Sequence, residues 1–402
     1  MASPLLRHVM EQAWASPAAA PEHAGEEDSS TSGVWSDYFQ GQETVALRSR
    51  QLDMNVYSAG PPDAPMLLCL HGGGYTGLSW GVLAAELRGI QCQVVAPDLR
   101  GHGETRSPDD ADLAAETLAA DVAELWHVLA ARRRLTTPLV LVGHSMGGAV
   151  AVWAARRILE EDASCPLAGV AVIDVVEGTA LAALPSMRSV LSARPARFAS
   201  LKEALAWARA THATTNPSAA RLSLPSQLRW EEAGAATETT RGAGVLPLPP
   251  SLPSISEDGG VGATGAEVQR APGLPPRPPL GRPKAPDQAR GGWVWRTPLP
   301  DSAPFWDGWY RGLSPAFLGL PCPKVLVLAG TDRLDKALTI GQMQGRFQLA
   351  LLPQAGHAVH EDAPGAVAGI LSGFLARHRV GLPGLAIPSR SPGTQHPAPS
   401  PG

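Results

Sequence analysis

Long apolar runs are missing from this chain of 402 residues. Nothing in it approaches the roughly 20 consecutive apolar residues that a bilayer-crossing helix needs, so no membrane association is expected. Charge is sparse too. Charged residues make up 17% and the formal net charge is −4, which gives no electrostatic case for nucleic acid. The four cysteines (Cys69, Cys92, Cys165 and Cys322) are scattered without C-x-x-C spacing, three of them in or beside apolar runs. They read as reduced core residues rather than a disulfide framework. The opening MASPLLRHVMEQAW has no sustained apolar core of a secretory signal. The expectation is a soluble intracellular protein, cytoplasmic, with the nucleus left open. No G-x-x-x-x-G-K-[ST] or H-E-x-x-H occurs, so neither a phosphate cradle nor a metal site is expected, and no cofactor is called for.

Proline and glycine are plentiful, and their distribution divides the chain. Residues 1–33 are Ala/Ser/Pro/Glu-rich and aperiodic, which predicts a disordered N-terminal tail. From 234 to 291 the sequence runs through VLPLPPSLPS, EDGGVGATG and APGLPPRPPLGRPKAP, a stretch that can bury little and reads as a disordered insertion. A second Pro/Ser-rich tail covers 381–402. What remains, 34–380, reads as one domain interrupted by that insertion. Inside the insertion, Pro272-x-x-Pro275-x-Arg277 has the form of a polyproline ligand for an SH3-type partner. A stiff spacer is the preferred reading.

Apolar runs with β character recur at Met66–Leu70, Cys92–Ala96, Leu139–Val142, Gly169–Ile173, Lys324–Leu328 and Phe347–Leu352. Helical patterns alternate with them, and Leu118, Val122, Leu125 and Leu129 repeat as one apolar face. Strands alternating with helices imply an α/β fold: a mostly parallel central sheet with helices on both faces. Such sheets place ligands at the C-terminal ends of their strands.

Those ends carry the chemistry. Leu139–Val142 runs into Gly143-x-Ser145-x-Gly147 and then an apolar helix from Met146, the strand–turn–helix context of a nucleophile elbow. Met66–Leu70 runs into His71-Gly72-Gly73-Gly74, where bare backbone N–H groups can approach a developing oxyanion. Gly73 or Gly74, together with Met146, are the expected donors. His357 follows the Phe347–Leu352 run as candidate base, and His360, three residues on, reads as structural. Two acids end strands, Asp174 and Asp332, and fold logic alone favours Asp332. In PDLRGHGET, Asp98 and Arg100 read as a pair that fixes a loop. Serine, acid, histidine is the chain order of an α/β-hydrolase triad. Epoxide hydrolases and haloalkane dehalogenases place Asp where Ser145 stands, which argues against them.

HGGGYTGLSW, GHSMGG, VIDVVEGTA, WDGWYRGLS, GTDRLDKALTIGQMQG and PQAGHAVHEDAP, taken together, make the chain closely resemble the protein phosphatase methylesterases. The likeness runs from about Trp35 to residue 230 and again from Trp295 to Arg379. GHSMGG is common to many serine hydrolases, whereas VIDVVEGTA, WDGWYRGLS and DRLDKALTIGQMQG are particular. The resemblance implies an α/β-hydrolase that removes the methyl ester from the C-terminal leucine of the protein phosphatase 2A catalytic subunit. It carries over Ser145 as nucleophile, His357 as base and Asp174 as acid, leaving Asp332 to steady the loop. The insertion departs from the family's acidic, lysine-containing segment. The alternatives are a small-molecule carboxylesterase or thioesterase of the same fold, and a protein that sequesters the phosphatase with little turnover. Met187, Val190, Leu191, Phe198 and Leu201 are expected to form an apolar wall of a partial cap.

Overall fold

The computed structural model describes residues 33–133, 137–232, 291–330 and 334–381. The tails and the insertion expected above fall outside the described residues except for Gly33, Gly291 and Gly381, and so do Pro272, Arg277 and Asp332. In chain order the strands are β1 (Gly41–Leu47), β2 (Leu52–Ala59), β3 (Met66–Leu70), β4 (Gln93–Pro97), β5 (Leu139–His144), β6 (Leu167–Ile173), β7 (Arg197–Phe198), β8 (Leu228–Glu231), β9 (Gly292–Trp295), β10 (Lys324–Leu328) and β11 (Gln348–Leu351).

Eight of them form one sheet in the order β1-β2-β4-β3-β5-β6-β10-β11, parallel from β4 through β11, with β2 antiparallel to its two neighbours. Every residue of β3, β4, β5 and β10 is buried, as strands covered on both faces require. Alternation sorts their side chains into two layers. Leu68, Leu70, Leu139, Leu141, Leu326 and Leu328 share one core cluster with Leu118, Val122, Leu125 and Leu129 of the helix Ala115–Arg133. Leu67, Cys69, Val140, Val142, Val325 and Val327 share the other with Val367, Leu371 and Phe374 of the helix Pro364–Arg377. All four cysteines are free and buried. Among the described residues no helix is long and apolar enough to cross a membrane.

β7, β9 and β8 make a second, three-stranded sheet. With the helices Leu201–Ala210 and Pro217–Ser226 it closes a separate apolar cluster around Phe198, Ala204, Ala208, Leu224 and Leu228. The apolar wall expected of one cap is therefore divided. Met187 and Leu191 pack into the main core, whereas Phe198 and Leu201 belong to the small cluster.

Asp98 and Arg100 do not pair with each other. Arg100 lies against Asp121 through two bonds, Nε to Oδ2 at 2.8 Å and Nη2 to Oδ1 at 3.0 Å. Asp98 instead accepts from the Gly77 and Glu104 N–H groups and from Asn55. The Arg100 and Asp121 side chains are 5% and 1% exposed, so breaking the bidentate pair strands a carboxylate in the core. Arg50 still reaches Asp121 at 2.8 Å. We expect Arg100→Leu to lower the unfolding free energy by about 3 kcal/mol, read as the midpoint shift in urea. A loss under about 1 kcal/mol would mean that Arg50 satisfies Asp121 by itself.

Candidate active site

The sheet order reverses between β3 and β5: the chain leaves β3 to one side for β4 and returns to the other for β5. Loops at such a switch point diverge and leave a crevice. The His71–Gly74 turn and Ser145 flank it.

Ser145 sits at φ 53°, ψ −121°, a conformation that costs an L-residue strain and that surrounding structure has to enforce. Its N–H is tied to the Ile173 carbonyl at 2.9 Å. The two motif glycines are required sterically. A Cβ on Gly143 would stand 2.1 Å from the Gly147 oxygen, and one on Gly147 would stand 2.2 Å from the Leu70 oxygen. The helix Met146–Glu161 begins directly after the serine, and its partial positive N-terminus faces the site.

The structure brings the three expected residues into one line. His357 Nε2 lies 3.1 Å from Ser145 Oγ, and His357 Nδ1 lies 2.8 Å from Asp174 Oδ2. The Asp174 side chain is 0% exposed against 33% for His357. Asp174 Oδ1 accepts from the Ala329 N–H at 3.0 Å. His360, in the helical turn Val359–Asp362, is wholly buried against Trp80 and His144.

The candidate donors separate. Gly74 N–H is given to His102 Nε2 at 3.0 Å. Gly73 and Met146 face each other, since a Cβ on Gly73 would lie 3.7 Å from Met146 Sδ. Among the described residues, neither of their N–H groups meets an acceptor.

Several supporting residues escaped the sequence reading. His144 Nε2–H donates to the His357 carbonyl at 2.9 Å and so fixes the backbone of His357. Burial, then the neighbouring His357, pull the His144 imidazole down to about 3, which keeps it neutral beside His357. His71 Nδ1–H donates to the Gly72 carbonyl and its Nε2 accepts from the Leu99 N–H, at 2.8 and 2.9 Å. His102 donates to the Arg100 carbonyl, and burial draws its pKa to about 4. Two neutral histidines thus clamp the glycine turn to the loop after β4. Tyr310, from WDGWYRGLS, is buried beside Ser145, and burial raises its pKa. Glu177 of VVEGTA holds the same segment by accepting from Gly312 and Ser314 N–H, each at 2.8 Å. These motifs signalled a family. Their mutual contacts, made across more than 100 residues of chain, left no local signal.

Residues 67–370 match the Alpha/beta hydrolase family. The chain is 42% identical over 354 residues to Protein phosphatase methylesterase 1 of Bos taurus, covering 87% of each chain. It is 35% identical over 380 residues to Probable protein phosphatase methylesterase 1 of Caenorhabditis elegans, covering 94% of this chain and 86% of that one. The Schizosaccharomyces pombe protein phosphatase methylesterase 1 is 34% identical over 351 residues, with 86% and 85% covered. Among solved structures, E-2-(Acetamidomethylene)succinate Hydrolase superposes with a TM-score of 0.56 at 19% identity, covering 83% of this chain and 98% of that one, a likeness of fold. The chain belongs to the alpha/beta hydrolase family and, among its carboxylic ester hydrolases, to the protein phosphatase methylesterases.

Proposed function

We propose that this chain demethylates the C-terminal leucine of the protein phosphatase 2A catalytic subunit through an acyl-enzyme on Ser145. The supporting observation is the hydrogen-bonded line from Ser145 Oγ through His357 to Asp174, in a chain 42% identical to a named methylesterase. Ser145 Oγ attacks the ester carbonyl while His357 Nε2 takes its proton, and Asp174 holds the ring and stabilises the imidazolium. The oxyanion is received by the N–H groups of Gly73 and Met146. Each such donor lowers the barrier by about 3–4 kcal/mol because it is fixed in place before charge develops. As the carbon–oxygen bond to the methoxy group breaks, His357 returns the proton and methanol leaves. Water then adds to the acyl-enzyme, giving its proton to His357, and the leucine carboxylate departs with Ser145 reprotonated. The reaction is assigned to the cytoplasm, with the nucleus left open.

Methanol release from carboxymethylated phosphatase 2A core enzyme, beside hydrolysis of a p-nitrophenyl ester, tests the assignment. Release from the phosphatase is the expected result. Turnover of the small ester alone would instead make the protein a small-molecule carboxylesterase or thioesterase. Tight binding of the phosphatase with neither ester cleaved would make it a sequestering protein.

A further inference from the structure

His357, the proposed base, sits on a short loop between β11 and the helical turn Val359–Asp362. Its side chain is 33% exposed, so packing alone does not hold the ring against Ser145. The backbone on either side is held instead. The His357 carbonyl accepts from His144 at 2.9 Å. On the other side, Asp362 Oδ2 reaches back to accept from the Gly356 N–H at 2.8 Å, which closes the loop that carries His357. The fit is close: a Cβ on Gly356 would stand 2.8 Å from that oxygen.

The other oxygen of the same carboxylate bonds a distant part of the chain. Asp362 Oδ1 accepts from the Thr215 N–H at 2.7 Å, and from the Thr214 and Thr215 hydroxyls at 3.1 and 3.0 Å. These threonines lie in the loop joining the helices Leu201–Ala210 and Pro217–Ser226 of the small cluster. Asn216, the next residue, caps the second helix and gives its Nδ2–H to the Glu361 carbonyl at 2.9 Å.

We propose that Asp362 is a positioning residue for His357, and that through it the Thr214–Asn216 loop sets where His357 stands relative to Ser145. The proposal rests on the reading of His357 as the base and names what that base depends on.

The physical argument has three steps. Gly356 has no side chain to pack, so its N–H is the handle by which the fold holds this end of the loop. A carboxylate is a rigid planar group whose hydrogen bonds are short and roughly twice as strong as neutral ones. A shift of the threonines that hold Oδ1 therefore passes to Oδ2 and on to Gly356, rather than being lost at a weak contact. Proton transfer from Ser145 Oγ to His357 Nε2, 3.1 Å apart, is steep in that separation, and a misplacement of about 1 Å costs about 100-fold in rate. A tie serving the loop alone would need only Gly356. This one also engages Thr215, 147 residues away.

The test measures kcat and KM for p-nitrophenyl acetate, an ester with no chain to bind, together with urea unfolding. Asp362→Ala is expected to lower kcat about 100-fold, with KM within about twofold of wild type. Thr214→Val combined with Thr215→Val keeps the shape of the distant loop, removes both hydroxyl donors and leaves the His357 segment untouched. That pair is expected to lower kcat about tenfold. Thr214→Ser combined with Thr215→Ser returns the hydroxyls and should bring kcat back to within about threefold of wild type. The threonine variants decide the matter even if Asp362→Ala fails to fold. A valine pair that lowered the urea midpoint and left kcat unchanged would make Asp362 a structural tie and overturn the proposal. A serine pair as slow as the valine pair would overturn it too, since the effect would then belong to shape rather than to hydrogen bonding. If the wild type cleaved p-nitrophenyl acetate but released no methanol from the methylated phosphatase, the methylesterase reading alone would fall, and the same variants would still decide the positioning role.

Discussion

Replacing Ser145 by alanine is expected to reduce kcat for ester hydrolysis by roughly 10⁵- to 10⁶-fold, with the fold intact. The size follows from the geometry. His357 Nε2 has Ser145 Oγ as its partner at 3.1 Å, so the substitution removes the nucleophile that the proposed acyl-enzyme step needs. The expected stability change is small, for two reasons. The Ser145 side chain does not cap the following helix, so no N–H of that helix loses a partner. The strained φ of 53° is imposed by the backbone bond to Ile173 and by the two glycines, which alanine leaves in place. Unfolding in urea should therefore stay within about 0.5 kcal/mol of wild type. A fluorophosphonate probe should label the wild type at the peptide containing Ser145 and leave the variant unlabelled. Retention of more than about 1% of the wild-type rate would require a different nucleophile and would remove the acyl-enzyme mechanism.

The central sheet was legible because it is buried on both faces. β3 and β10 coincide with the expected runs, and β4 and β5 differ from theirs only at the ends, since a fully covered strand needs nothing but a short apolar run; β6 and the edge strand β11, less buried, were found from their apolar runs alone. β1 and β2 were not found. β1 carries exposed residues at Glu43 and Thr44 and has only β2 as a neighbour in the sheet, so its apolar content is low and its pattern short. β7 is two residues long, too short for any period to register. The site divides in the same way. Gly143-x-Ser145-x-Gly147 was readable because its steric demand is local: each glycine is needed for a contact with backbone a few residues away or in the next strand. The roles of His71, His102 and His144 were not, because each depends on a backbone group brought close only by the fold; His144, for one, bonds a carbonyl 213 residues away. Asp98 and Arg100 show the risk of reading charge by adjacency. Two residues apart in sequence, they bond to different partners, Asp98 to the Gly77 N–H and Arg100 to Asp121.

Asp174→Asn is expected to lower kcat about 10⁴-fold, or about 5.5 kcal/mol of barrier, with KM little changed. Fold logic favoured Asp332 and the family resemblance favoured Asp174, so this substitution also decides between them. Asparagine suits the backbone here, because Asp174 has φ 55°, a region that Asn tolerates better than most residues. The hydrogen bonds then dictate how the amide must lie. Asp174 Oδ1 accepts from the Ala329 N–H at 3.0 Å, so the asparagine oxygen has to stay on that side. Its NH₂ group is left facing His357 Nδ1, where Asp174 Oδ2 stood at 2.8 Å. A donor there selects the tautomer that carries its proton on Nε2, the nitrogen that must accept from Ser145. The nucleophile and the oxyanion donors remain, so substrate still binds, but the base arrives already protonated. Asp332→Asn, measured alongside, is expected to change kcat by less than about fivefold. A large loss in Asp332→Asn with near-normal turnover in Asp174→Asn would move the acid to Asp332. It would also mean that the bond from Asp174 to His357 only positions the ring.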